Sequence, residues 1–364
     1  MLPIALIALT LVLAFANGAN DVSKGIATLV GAGVSNYRGA VIWGALCTMT
    51  GATAAAFASQ ALVATFGGKG ILAEPATSPA FLLAIGIGAV GWLIIATRTG
   101  LPVSTTHSLG GALIGAAMMH AGVQGVVWTA LAEKIALPLL ASPVMAVVLL
   151  LVVLPLLRPL VTRFDTYCLC VEQTSAIAVT AEGFALRETM PGVVAGSSES
   201  CSTAVARISA IDSLHWLSSG ATSFFRGLND APKILALGVA AALAFGIGHQ
   251  PMYVLVAVAM GTGSVIAGFR VTRTLAEKVT PISPAGGFAA NVVTSVLVGV
   301  ASRFALPVST THVASGAIIG AGVSRGGNDV RWKTVGEMLL AWVITLPISA
   351  LFAAVAFWLL RTSA

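Results

Sequence analysis

The chain contains the heptapeptide Leu-Pro-Val-Ser-Thr-Thr-His twice, at Leu101–His107 and again at Leu306–His312, 205 positions later. Such a repeat restricts the fold to one built from two related halves. Two further pairs keep the same order at nearly the same offset. Asn17-Gly18-Ala19-Asn20-Asp21 is answered by Arg226-Gly227-Leu228-Asn229-Asp230, and Trp128 with Pro143 is answered by Trp332 with Pro347. Three ordered matches divide the chain into a first repeat at 1–157, a polar linker at 158–213 and a second repeat at 214–364.

The repeated polar motifs lie inside hydrophobic sequence. Hydrophobic residues make up 57% of the chain and charged residues 9%, against about 25% charged in a soluble globular protein. This is the composition of a polytopic membrane protein, and the 39 glycines suit helices that approach closely through small residues. The net charge of +6 is then a matter of loop topology and not a nucleic-acid footprint. The four cysteines are not read as a disulfide framework, and Cys168-Leu169-Cys170 has no nearby histidine to complete a metal site. Ala14-Phe15-Ala16 imitates a signal-peptidase site, but no basic segment precedes it and the Asn-Asp motif just after it has a partner in the second half. It is read as a mature membrane segment.

Residues 2–33 form one apolar run interrupted at Asn17–Asp21, which predicts a discontinuous helix. Residues 40–66 and 127–157 read as crossings. Residues 80–119 read as a re-entrant hairpin whose polar tip is Pro102–His107, because the second leg is too short to cross. The second half repeats the plan, with a broken helix at 214–247, a crossing at 251–269, a hairpin at 288–323 and a last crossing at 334–360. Three crossings and one hairpin per half mean that the second half enters the membrane inverted. With the N-terminus outside and the linker cytoplasmic, eleven basic residues fall inside and only Lys69 and Arg361 outside, a strong positive-inside bias. The expected fold is all-α: two inverted-topology repeats with broken helices and re-entrant hairpins in the plasma membrane, the plan of a secondary transporter.

Six basic residues (Lys24, Arg98, Lys134, Arg226, Lys233, Arg303) and four acids (Asp21, Glu133, Asp230, Glu337) lie within the membrane segments. Each is costly in hydrocarbon unless paired, facing water or near an interface. Asp21 and Asp230 follow Asn20 and Asn229, a set of hard oxygen ligands for a small cation such as sodium. Lys24 and Lys233, three residues on, bring positive charge that suits an anion, or pair internally with the aspartates. Ser104-Thr105-Thr106 and Ser309-Thr310-Thr311 place hydroxyls at the start of short helices, where free N–H groups and the helix dipole favour an anion; the plainer reading is an N-cap. His107 and His312 are read as anion donors, carriers of a coupling proton or braces of the tips.

At these residues the chain resembles the inorganic phosphate transporters, the sodium- or proton-coupled phosphate permeases. The matching features are Gly18-Ala19-Asn20-Asp21-Val22, Gly227-Leu228-Asn229-Asp230 and the two Pro-Val-Ser-Thr-Thr-His tips. The resemblance implies phosphate uptake by cation symport, no cofactor beyond the coupling ion, and a homodimer in lipid. By that likeness Asn20, Asp21, Asn229 and Asp230 hold cations, and the two Ser-Thr-Thr triplets hold the anion. One departure is Ser23-Lys24 and Pro232-Lys233 where the family commonly continues with Ala-Asn. An ammonium in place of an amide displaces a coupling sodium or adds fixed positive charge. A sulfate permease is the alternative within this class, and an intramembrane serine hydrolase or a channel the alternatives outside it.

Overall fold

The computed structural model describes residues 2–58, 60–73, 78–165, 168–179, 185–196, 206–306 and 308–362. The first half comprises α1 (Leu2–Asp21), α2 (Ser23–Gly31), α3 (Tyr37–Ala58), α4 (Gln60–Phe66), α5 (Pro79–Thr99), α6 (Thr105–Ala121), α7 (Trp128–Leu131) and α8 (Leu137–Asp165). A π-helical turn at Ala132–Ala136 joins α7 to α8. The second half comprises α9 (Ala210–Ala244), α10 (His249–Ala267), α11 (Phe269–Glu277), α12 (Pro284–Arg303), α13 (Thr310–Val323) and α14 (Trp332–Thr362). Among the described residues, seven helical stretches are long and apolar enough to cross a membrane: α1 with α2, α3, α5, α8, α10, α12 and α14. α9 differs in carrying Arg226, Asp230 and Lys233, yet each of these is at most 1% exposed.

Counterpart helices exchange counterpart contacts. α3 packs on α9 and α10 on α1; α6 packs on α14 and α13 on α8; α5 packs on α1 and α12 on α9. Matched glycines make these contacts possible. A Cβ on Gly18 would lie 1.9 Å from the Met260 carbonyl oxygen, and one on Gly227 would lie 2.2 Å from that of Thr48. The same holds for Gly111 against Leu346 at 2.4 Å and Gly316 against Pro143 at 2.5 Å. Backbones this close leave no room for any side chain, which is how small residues assemble helices without a hydrophobic driving force.

Each hairpin starts with the same device. Ser78 and Ser283 cap α5 and α12 by accepting from the N–H groups of Phe81 and Gly286, with proline in the first turn. α5 ends on Gly100 at φ 77°. The matching position in the second half is Ala305, held at φ 53°, where an L-residue is strained by roughly 1–2 kcal/mol. Ala305→Gly is therefore expected to raise thermal stability, by about 1 kcal/mol, measured as Tm in detergent.

Two expectations need correction. The first Asn-Asp motif ends α1 at Asp21 as expected, but the interruption is a single residue, and the second motif does not break its helix at all. α1 and α2 are separated only by Val22, whose N–H still bonds to the Gly18 carbonyl at 3.2 Å, and α9 runs for 35 residues straight through Pro232. The polar side chains find tertiary partners instead of competing for their own backbone, so the helix persists. The fold is also not wholly α-helical. β1 (Cys168–Val179), β2 (Ala185–Gly196) and β3 (Ala206–Ser209) form an antiparallel sheet in the order β2-β1-β3, an addition to the all-helical membrane part.

Candidate functional site

The two Asn-Asp motifs and the two hairpin tips converge at the centre of the helix bundle. In the first half, Lys24 makes a salt bridge to Asp21. Its Nζ also reaches Asn20 Oδ1 at 3.3 Å and the Val103 carbonyl at 3.5 Å. Asn20 anchors the tip, donating through Nδ2 to Thr97 Oγ1 at 3.2 Å and to the Leu101 carbonyl at 3.1 Å. The second half reproduces this position by position. Lys233 Nζ donates to Asp230 Oδ1 at 3.1 Å, to Asn229 Oδ1 and to the Val308 carbonyl at 3.1 Å. Asn229 Nδ2 donates to Ser302 Oγ at 3.0 Å.

The halves are stitched together where counterparts meet. Asn17 and Arg226 hold matching positions in the repeat, and Arg226 Nη1 donates to Asn17 Oδ1 at 3.3 Å. The Asn17 amide faces both carboxylates, with Nδ2 3.0 Å from Asp21 Oδ2 and 3.3 Å from Asp230 Oδ2. Arg226 Nη2 donates to Thr48 Oγ1 at 2.6 Å, while its Nε has no partner. The tips are laced crosswise: Thr311 Oγ1 donates to the Val103 carbonyl at 2.7 Å, and Thr106 Oγ1 to the Val308 carbonyl at 3.4 Å. His107 and His312, again counterparts, lie ring to ring at 4.6 Å. His312 stacks on Trp342 at 4.0 Å and bonds the Leu139 carbonyl through Nδ1 at 3.1 Å. His107 Nδ1 and His312 Nε2 have no partner.

The structure thus brings Asn20, Asp21, Lys24, the two Ser-Thr-Thr-His tips, Asn229, Asp230 and Lys233 into one buried region, with differentiated duties, whereas Arg98, Glu133, Arg303 and Glu337 are exposed and the Lys134 side chain lies outside the described residues. Ser104 and Ser309 are N-caps, accepting from the N–H groups of His107 and His312 at 3.2 Å. Thr105 Oγ1 donates to Asp21 Oδ2 at 3.2 Å, and Thr106 Oγ1 accepts from Lys233 at 2.8 Å. Thr310 is buried at the start of α13. The first-turn N–H groups of Thr105, Thr106, Thr310 and Thr311 have no intrahelical acceptor, as at any helix start. Asn17 and Thr48 were missed by sequence reasoning, and Arg226 was noted only as an embedded charge. The signal was present for one of them, since Arg226 stands where the first repeat has Asn17.

The electrostatics are lopsided. Among the described residues, Lys24, Lys233, Arg226, Asp21 and Asp230 are the buried Lys, Arg, Asp and Glu side chains. Three cations and two carboxylates leave a formal excess of one positive charge, beside two helix N-termini whose partial charge has the same sign. An isolated buried charge is costly, and an anion would offset it.

A basic cleft lies beside the first hairpin. A cavity of about 490 Å³ is lined by Arg38, Arg270, Arg273 and Lys278, together with Thr99 and Gly100 of the first hairpin. Gly100 adjoins Leu101, whose carbonyl binds Asn20. Convergent positive charge of this kind raises the local anion concentration. With the N-terminus outside, as the basic residues predict, this cleft faces the cytoplasm, and Arg270→Gln with Arg273→Gln is expected to lower initial phosphate flux entering from that face several-fold at low ionic strength and to flatten its salt dependence.

A model of the phosphate transporter family matches residues 17–353. The chain belongs to that family. Its relatives include a probable low-affinity inorganic phosphate transporter of Rhizobium meliloti, 30% identical over 98% of this chain and 95% of the relative. A protein of the same description from Bacillus subtilis is 28% identical over 99% of this chain and 98% of its own length. A solved structure described as the sodium-dependent phosphate transporter superposes with a TM-score of 0.80 over the whole of both chains, at 24% identity, and so shares the fold. The family is one of multi-pass membrane transporters and not of enzymes, which sets aside the hydrolase reading.

Proposed function

We propose that this protein imports inorganic phosphate by cation symport, its two halves inserted in opposite orientations and alternating access to the one central site. The observation that carries this reading is the single excess positive charge buried between the N-termini of α6 and α13, with Arg226 Nε left without a partner. A tetrahedral oxyanion supplies acceptors for that N–H and for the first-turn amides of Thr105, Thr106, Thr310 and Thr311. Lys24 and Lys233 complete the positive field, while Asp21 and Asp230, with Asn20 and Asn229, supply the oxygens that hold positive charge. His107 and His312 stand together between the tips, as a carrier of a coupling proton would. Reciprocal contacts between counterparts support the inverted arrangement, since alternating access exchanges the roles of two such halves. The N-terminus is then outside and the linker sheet cytoplasmic, in the plasma membrane.

The deciding experiment is uptake of labelled phosphate into proteoliposomes, under separately imposed sodium and proton gradients, with unlabelled sulfate as competitor. Phosphate uptake that resists sulfate is the expected result, and the effective gradient names the coupling ion. Uptake blocked by sulfate would move the assignment to a sulfate permease. The tips provide a second test. Ser104→Ala and Ser309→Ala each remove an N-cap, at about 1 kcal/mol of stability, and together are expected to raise the apparent substrate constant more than either alone. An unchanged constant would leave the serines as caps only.

A further inference from the structure

Lys24 and Lys233 each sit in a cage of oxygen atoms. Around Lys24 Nζ these are an Asp21 carboxylate oxygen, the Asn20 amide oxygen and the Val103 carbonyl. Around Lys233 Nζ they are an Asp230 carboxylate oxygen, the Asn229 amide oxygen, the Val308 carbonyl and the Thr106 hydroxyl. Carboxylate, amide and main-chain carbonyl oxygens are the hard ligands of a small alkali or alkaline-earth cation, and main-chain carbonyls of unwound segments are where membrane transporters place sodium. An ammonium carries three N–H donors and no acceptor. Lys24 has three acceptors and Lys233 four, so each donor set is saturated. Both side chains are fully buried, and the cages are counterparts down to the residues that support them, Thr97 beneath Asn20 and Ser302 beneath Asn229.

We propose that the two lysine ammonium groups are tethered cations that occupy the positions a coupling sodium would take, so that this transporter binds no sodium at its Asn-Asp motifs. The inference refines the cation-symport reading above and rests on it only for the word coupling; the cages themselves are independent of the substrate. A tethered charge stays with the protein through the transport cycle. It neutralises the carboxylate permanently and cannot be delivered across the membrane. The driving cation must therefore be one that the lysine cages do not exclude, and a proton is the only such ion that needs no coordination shell.

Removing the lysine is then expected to create a sodium site. In Lys24→Ser and Lys233→Ser the side chain retreats and leaves a negatively charged oxygen cage. In Lys24→Met and Lys233→Met the same volume stays filled without charge. The test is sodium-dependent stability of purified protein in detergent, with choline as the control cation and no phosphate present, together with radiolabelled sodium binding. The wild type is expected to show no sodium-specific change in Tm and no saturable sodium binding. The serine variants are expected to bind sodium and gain roughly 3 °C at ten times the dissociation constant, and the methionine variants to gain nothing. Saturable sodium binding by the wild type overturns the proposal, and so do serine variants that remain indifferent to sodium. If the serine variants do not fold, the wild-type titration alone still decides. Failure of phosphate transport under every gradient would strike the proposed function and leave these binding results standing.

Discussion

Asp21→Asn and Asp230→Asn are each expected to reduce phosphate uptake by at least about 100-fold while the protein remains in the membrane. Asp21 pairs with Lys24 and accepts from Asn17 and Thr105, and Asp230 pairs with Lys233 and faces the same Asn17 amide. Neutralising either carboxylate strands an ammonium in a dry interior and doubles the excess positive charge. Breaking a buried pair from one side costs roughly 3–5 kcal/mol, and the amide offers one acceptor where the carboxylate had two. Asp21→Asn is expected to be the more severe, because it also frees the Thr105 hydroxyl at the tip of the first hairpin. Uptake must be normalised to inserted protein and accompanied by Tm in detergent. Wild-type uptake in both variants would remove these carboxylates from the mechanism.

Arg226→Gln is expected to split stability from function. Arg226 is the buried cation without a carboxylate of its own; its Nη atoms bond a neutral amide and a hydroxyl, and its Nε bonds nothing. Replacing it removes the uncompensated charge, so the substrate-free protein is expected to hold or gain stability. The anion loses a charge-assisted hydrogen bond worth roughly 1.5–3 kcal/mol, a rise in the apparent phosphate constant of about 10- to 150-fold. The measurements are Tm with and without phosphate and the concentration dependence of uptake. Phosphate should stabilise the wild type and have little effect on the variant. A variant that loses stability but keeps its phosphate constant would make Arg226 a structural clamp between α3 and α9.

Much of this was legible in the chain because duplication is visible without any knowledge of contacts. The offset between Leu101–His107 and Leu306–His312 pairs the hairpins, and a hydrophobic chain with so few charges marks each embedded Asp and Lys as placed for a purpose. The extent of the helix breaks was not legible: the first is a single residue, Val22, and the second does not occur. Asn, Gly and Asp in one run suggest unwinding by local rules, yet Gly18 and Gly227 serve to admit the backbone of a facing helix, and the Asn and Asp side chains are satisfied by residues some 80 to 210 positions away. Long-range partners override local preference, and their identity is not encoded in spacing.

The sequence by itself determined that two membrane-embedded halves share one plan, which polar residues they bury and that their tips carry hydroxyl groups, because periodicity, hydropathy and repetition are properties of the chain alone. The tertiary structure decided which of those residues meet. Asn17 sits between two carboxylates from different halves, Arg226 stands beside them without an acid of its own, and each lysine fills an oxygen cage closed by the carbonyl of a hairpin tip. The physical reason is that an anion site depends on the net charge and unsatisfied donors of an assembled, dry volume. A surplus of one positive charge exists only once five side chains from α1, α2 and α9 are enclosed together.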